Sequence, residues 1–277
     1  MLRTQYFHYT MAIDYTIDYQ CEPRTSFGTD GVLERVKSRA RANDVIALFR
    51  QNGDQRPPSE MGFEFSRNLP DGTEETRIII VQEMLDLASE LDGYAHYCFG
   101  CPANLSAQPF GCYSSISYPI SSAAEAWLLD QLPGITDPLI WLLLREGAQA
   151  NGYDGNTARS LRPYDAYFEE KRVRMRDLVE FTMTADQVFE MLFMVGPVQP
   201  AHGGITLLLF GGITRAVEAH DIVAIMNGTM PQDEKASRFP FTMMPAPTDD
   251  KCIREFKAFF KALHTAWILG RRVIVDA

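Results

Sequence analysis

The segment from Gly93 to Ile120 constrains this chain more than any other. It holds Cys98, Cys101 and Cys112 among Pro102, Asn104, Ser106, Pro109 and Gly111. These are residues that remove backbone donors or favour turns, so no long helix runs through it. A loop of this length and composition has little apolar surface of its own to bury, and it must be held by its neighbours or by a cross-link. It also divides the chain, with strand-like alternation concentrated on its N-terminal side and helical spacing on its C-terminal side.

Ahead of the cysteines, Ile13 to Tyr19 alternates polar and apolar residues and predicts a strand that ends at Cys21, Glu22 and Pro23. A helix follows, with Thr29 or Asp30 able to cap it, Leu33, Val36 and Ala40 at helical spacing, and Gly53 placed to close it. Phe63 to Ser66 and Thr76 to Gln82 flank Pro70, Asp71 and Gly72 and predict a β-hairpin. A short helix from Glu83 to Asp92 stops at Gly93, and Tyr113 to Tyr118 reads as another strand.

Beyond Ile120 the pattern is helical. Ser122 with Glu125 forms a capping box ahead of Trp127, Leu128 and Leu129. Thr136, Asp137 and Pro138 open a helix whose run from Leu139 to Leu144 is apolar all round, as in the middle of a core. Tyr153 to Asp165 reads as a loop, and Val173 to Thr182 fits strand and helix equally. Thr184 with Gln187 is a second capping box, and Gly196 with Pro197 ends that helix. Ile205 to Met226 is two helices, or one with a close contact at Gly211 and Gly212; Thr229 to Pro247 is a long loop. Ile253, Phe256, Phe260, Leu263 and Trp267 then form one helical stripe with Lys257 and Lys261 off it, and Val273 to Val275 returns as a strand. The reading is an α+β fold: a strand-containing N-terminal half with the cysteine-rich loop (1–120) packed on a mainly helical C-terminal half (121–277), as two regions or one continuous domain.

A chain of 277 residues, 46% hydrophobic and 11% aromatic, has ample material for a core. Its formal net charge of -10 repels nucleic acid and anionic membrane surfaces. Met1 to Gln20 is interrupted by Arg3, Asp14 and Asp18 and does not resemble a secretory signal. The most apolar region, Phe189 to Thr214, is broken by Glu190, Pro197, Pro200 and His202 into segments too short for a bilayer. Five cysteines, three of them within fifteen residues, argue against a secreted disulfide scaffold and for reduced thiols in a cytoplasm.

Cys98 and Cys101 have two residues between them, a spacing that lets both sulfurs reach one metal, and Cys112 follows after ten residues. Soft thiolates select zinc or iron-sulfur clusters. A closed tetrahedral zinc site needs a fourth ligand, and Cys21 is preferred to His96 and to Cys252, which sits on the stripe of the last helix. The ten-residue gap is wider than a ferredoxin-type run, so zinc stands ahead of an iron-sulfur cluster. A thioredoxin-like dithiol is disfavoured because no helix can start at Cys98.

Arg35, Lys37, Arg39, Arg41 and Arg50 read as a solvated helix face rather than an anion site. His202, before Gly203 and Gly204, and the group Glu218, His220 and Asp221 are the candidates for acid-base work. No nucleophile elbow, phosphate loop, dinucleotide fingerprint or His-Glu-x-x-His motif occurs. The sequence therefore predicts a cytosolic binding or regulatory protein in which zinc fixes the loop from Gly93 to Ile120. A metalloenzyme or iron-sulfur protein with an open coordination position is the competing class. Nucleic acid and membrane are disfavoured as partners; another protein or a second copy of the chain stays open.

Overall fold

The computed structural model describes residues 12–68 and 74–276. The fold is α+β, and the chain forms two compact units, one of residues 20–110 and one of residues 12–19 with 111–276. Strand β1 (Ala12–Ile17) belongs to the larger unit. No helix among the described residues is long and apolar enough to cross a membrane.

The smaller unit starts with α1 (Glu22–Gln51), where Cys21 is the N-cap and Pro23 fits the first turn. Gly28 interrupts it at φ 70 and ψ 172, a backbone state open to a residue without Cβ. The helix predicted from Thr29 onward is thus preceded by an extra helical turn. Strands β2 (Gly62–Asn68) and β3 (Glu74–Ile80) pair antiparallel with Phe63 opposite Ile79, as a hairpin requires. The turn predicted at Pro70, Asp71 and Gly72 lies outside the described residues. Helix α2 (Val81–Ser89) follows directly, and Ala42, Val45, Met61, Phe63, Val81 and Met84 form the unit's core. Arg35 forks onto Glu90 at 3.0 and 2.6 Å, and Arg39 donates to Asp92 and to the Ala88 carbonyl, each at 2.6 Å. These basic residues fasten α1 to α2.

In the larger unit β1 lies between β4 (Tyr113–Ser117) and β7 (Val273–Asp276), antiparallel to both, with Ile13 opposite Ile116 and Tyr15 opposite Val275. Its helices are α3 (Ser122–Asp130), α4 (Pro138–Ala150), α5 (Asn156–Leu161), α6 (Ala185–Phe193), α7 (Pro200–Leu209), α8 (Ala219–Met226), α9 (Gln232–Arg238) and α10 (Lys251–Leu269), with the short hairpin β5 (Met175–Asp177) and β6 (Thr182–Thr184) between α5 and α6. The predicted stripe of α10 is buried, and Phe259 joins it to meet Tyr15 and Phe193 at ring-centroid distances of 5.1 Å each.

Several local expectations change. Ser121, not Ser122, caps α3 by accepting from the Ala124 amide at 3.1 Å, which leaves Glu125 free to turn inward. Helix α5 falls where a loop was expected, because the carboxylate of Glu190 accepts the Gly155 and Thr157 amides at 2.8 and 2.7 Å and supplies a cap from 33 residues or more away. Helix α9 occupies part of the expected loop from Thr229 to Pro247. Helix α4 is not enclosed: Leu139 and Leu142 are each 41% exposed while Ile140, Trp141, Leu144 and Ala148 are buried. Lys257 of α10 is buried because Asp249 and the Met244 carbonyl take its ammonium at 2.7 and 3.0 Å.

Candidate functional site

The predicted metal ligands divide between the two units. Cys98 ends a 3-10 turn (Asp92–Cys98), and Phe99 (φ -72, ψ 123) and Gly100 (φ 73) form a type II turn to Cys101, whose amide donates to the Cys98 carbonyl at 3.4 Å. The Phe110 amide donates to Cys98 Sγ at 3.1 Å. Burial pushes the Cys98 thiol above its usual range, that amide opposes the shift, and repulsion from Cys101 and Cys21 adds to it. Cys21, Cys98 and Cys101 thus share one neighbourhood of the smaller unit. Cys112 belongs to the larger unit, where its carbonyl accepts from the Ile17 amide at 3.3 Å. His96 is exposed and stacks on Tyr97 with centroids 4.0 Å apart. Cys252 is buried on α10 with its thiol pushed up to about 12, an inert packing residue. Among the described residues, no group of three or more His, Cys, Asp or Glu side chains is arranged to hold a metal ion.

Glu218, His220 and Asp221 are explained by helix structure. Glu218 and Asp221 form a reciprocal capping box at the start of α8, and Asp221 accepts from Arg238 at 2.8 Å. His220 is 76% exposed. Another set of charges is deeply buried: Arg162 lies between Glu125 and Asp186 and stacks 4.4 Å above the Phe168 ring. Every polar group in it is paired, so it reads as a structural network.

His202 is different. It lines a cavity of about 310 Å³ in the larger unit, at the lower end of ordinary ligand-site volumes. Leu143, Leu144, Gly147 and Ala148 of α4 form one wall, Met191 of α6 and Ile205, Thr206 and Leu209 of α7 form others, and Met226 of α8 and Phe210 complete it. Asn151 and Tyr153 enter from the segment after α4. Among the described residues, no Asp, Glu, Lys or Arg lines the cavity. Burial pushes the His202 imidazole down, which keeps it neutral at neutral pH. Burial likewise pushes the Tyr153 phenol up, with Glu190 adding to the shift. Neither His202 nor the Tyr153 hydroxyl has a hydrogen-bond partner among the described residues, whereas the Asn151 amide already donates to the Gly147 carbonyl at 2.8 Å.

Of the two glycines after His202, Gly204 serves packing. A Cβ on Gly204 would lie 2.7 Å from Ile225 Cγ2 and 2.8 Å from Trp267 Nε1, so the bare backbone is what lets α7 approach α8 and α10. Tyr153 and the α4 wall carried no sequence signal of a site, because the segment read as loop and the wall as core. The chain matches no protein-family model, no curated protein and no solved structure.

Proposed function

We propose that this chain is a binding protein whose larger unit takes a small, largely apolar molecule into the cavity beside α4 and α7. The observation that carries this is the pairing of apolar walls with a neutral imidazole and a phenol that no described residue engages, the composition expected of a ligand site. The same observation favours binding over acid-base catalysis, since a catalytic histidine is ordinarily oriented by a hydrogen-bonded partner. The test is methyl NMR of protein labelled at methionine, screened against small alcohols, amides, acids and amines. Ligands should shift Met191 and Met226, which line the cavity, and leave the exposed Met175 and Met244 unmoved. A screen in which no compound shifts Met191 or Met226 refutes the proposal.

A second reading concerns the thiols. The turn from Cys98 to Cys101, the amide donated to Cys98 Sγ and the neighbouring Cys21 support a structural zinc held within the smaller unit. Elemental analysis and an anaerobic optical spectrum on wild type and Cys101→Ser test it. Stoichiometric zinc, lost in the variant together with thermal stability, is the expected result. Iron with visible absorption would indicate a cluster instead, and metal-free protein refutes both.

A further inference from the structure

The cavity's chemistry also states which ligands it should refuse. We propose that it selects an uncharged molecule, an apolar skeleton carrying one hydrogen-bonding oxygen, over the same skeleton bearing a charge. This rests on the cavity being the binding site. Among the described residues its lining holds no ionised side chain, and its polar side chains are those of His202, Tyr153, Asn151 and Thr206. An ion entering would give up its hydration for walls of Leu143, Met191 and Phe210, with no counter-charge to replace the lost water. The carboxylate that acts on Tyr153, that of Glu190, is occupied by the Gly155 and Thr157 amides and does not line the cavity, so it offers no partner for a cation and repels an anion. A neutral oxygen, by contrast, finds a phenol donor and an imidazole that can donate or accept. Specificity here comes from what the site withholds as much as from what it offers.

The experiment compares 1-octanol, octanoate and octylammonium near neutral pH, read by the Met191 and Met226 methyl signals and by calorimetry. Octanol should bind, and both ions should bind at least about tenfold more weakly. Gly147→Leu should abolish octanol binding: a Cβ there meets no atom within 4 Å, so the added side chain fits the helix and takes up cavity space. The wild-type methyl shifts report the site even where that variant folds poorly. Equal affinity for octanol and either ion, with Met191 and Met226 shifting, overturns the charge rule and leaves the cavity as the binding site. Silence from all three ligands at those methyls overturns the charge rule together with the binding reading beneath it.

Discussion

Replacing Arg162 with leucine removes the cation from a buried network of three charges. The side chains of Arg162, Glu125 and Asp186 are 3%, 2% and 0% exposed. Arg162 Nε donates to Asp186 at 2.5 Å, its Nη2 donates to Glu125, and its Nη1 donates to the Glu170 carbonyl at 2.8 Å. Removing one partner of a buried pair typically costs about 3–5 kcal/mol, because the other charge stays buried without compensation. Asp186 keeps Arg159 at 3.2 Å, which limits its share, whereas Glu125 loses its direct partner. Loss of the stack on Phe168 and of the donor to Glu170 adds to the deficit, so we expect about 4–5 kcal/mol near neutral pH, a large fraction of a typical domain's stability. The deficit should depend on pH with a definite sign. Burial already raises the Glu125 carboxyl pKa, and losing Arg162 raises it further. The native variant then binds a proton at pH values where the unfolded chain, titrating near about 4.3, does not, so the deficit shrinks as pH falls from about 7.5 to about 5. Urea unfolding at both pH values measures this, with the slope m checked for constancy. The neutral triple variant Glu125→Gln, Arg162→Met, Asp186→Asn should recover most of the loss. A deficit below about 1 kcal/mol that is the same at both pH values would refute the reasoning.

Gly204→Ala should destabilise by about 1–2 kcal/mol, since the clash with Ile225 and Trp267 outweighs the gain in helix preference; an unchanged melting midpoint would contradict the packing account. Gly147→Ala should stabilise by about 0.5–1 kcal/mol, as it sits inside α4 with open space around its Cβ, and chemical denaturation resolves the gain. The Ala246 amide and Lys257 hold the Asp249 carboxyl below its usual range, so its contribution is present above the unfolded carboxyl pKa and fades as pH falls below about 4. Asp249→Asn should therefore lower the melting temperature at neutral pH and flatten its fall in acid; a parallel pH profile for the two proteins would contradict this.

The elements legible in the sequence are those whose causes lie within a few residues. The stripe of α10, the Thr184 and Gln187 capping box, the closure of α1 near Gly53 and the existence of strands β1 and β4 rest on short-range features, and the structure contains them. His202 also stood out as a candidate, read as a loop histidine before two glycines, although the structure places it in the first turn of α7. What surrounds it did not, because the cavity is a space left between α4, α6, α7 and α8, and no local pattern encodes an unfilled volume. The same distance effect explains α5, whose first amides are capped by Glu190, and Glu125, which a local rule assigns to a cap and tertiary contact assigns to Arg162. It explains the sheet as well, where residues 12–17, 113–117 and 273–276 meet. Sequence alone determined where backbone groups could satisfy one another nearby. Only the tertiary structure decided which distant side chains satisfied the rest, since that depends on which surfaces the burial of apolar residues brings together.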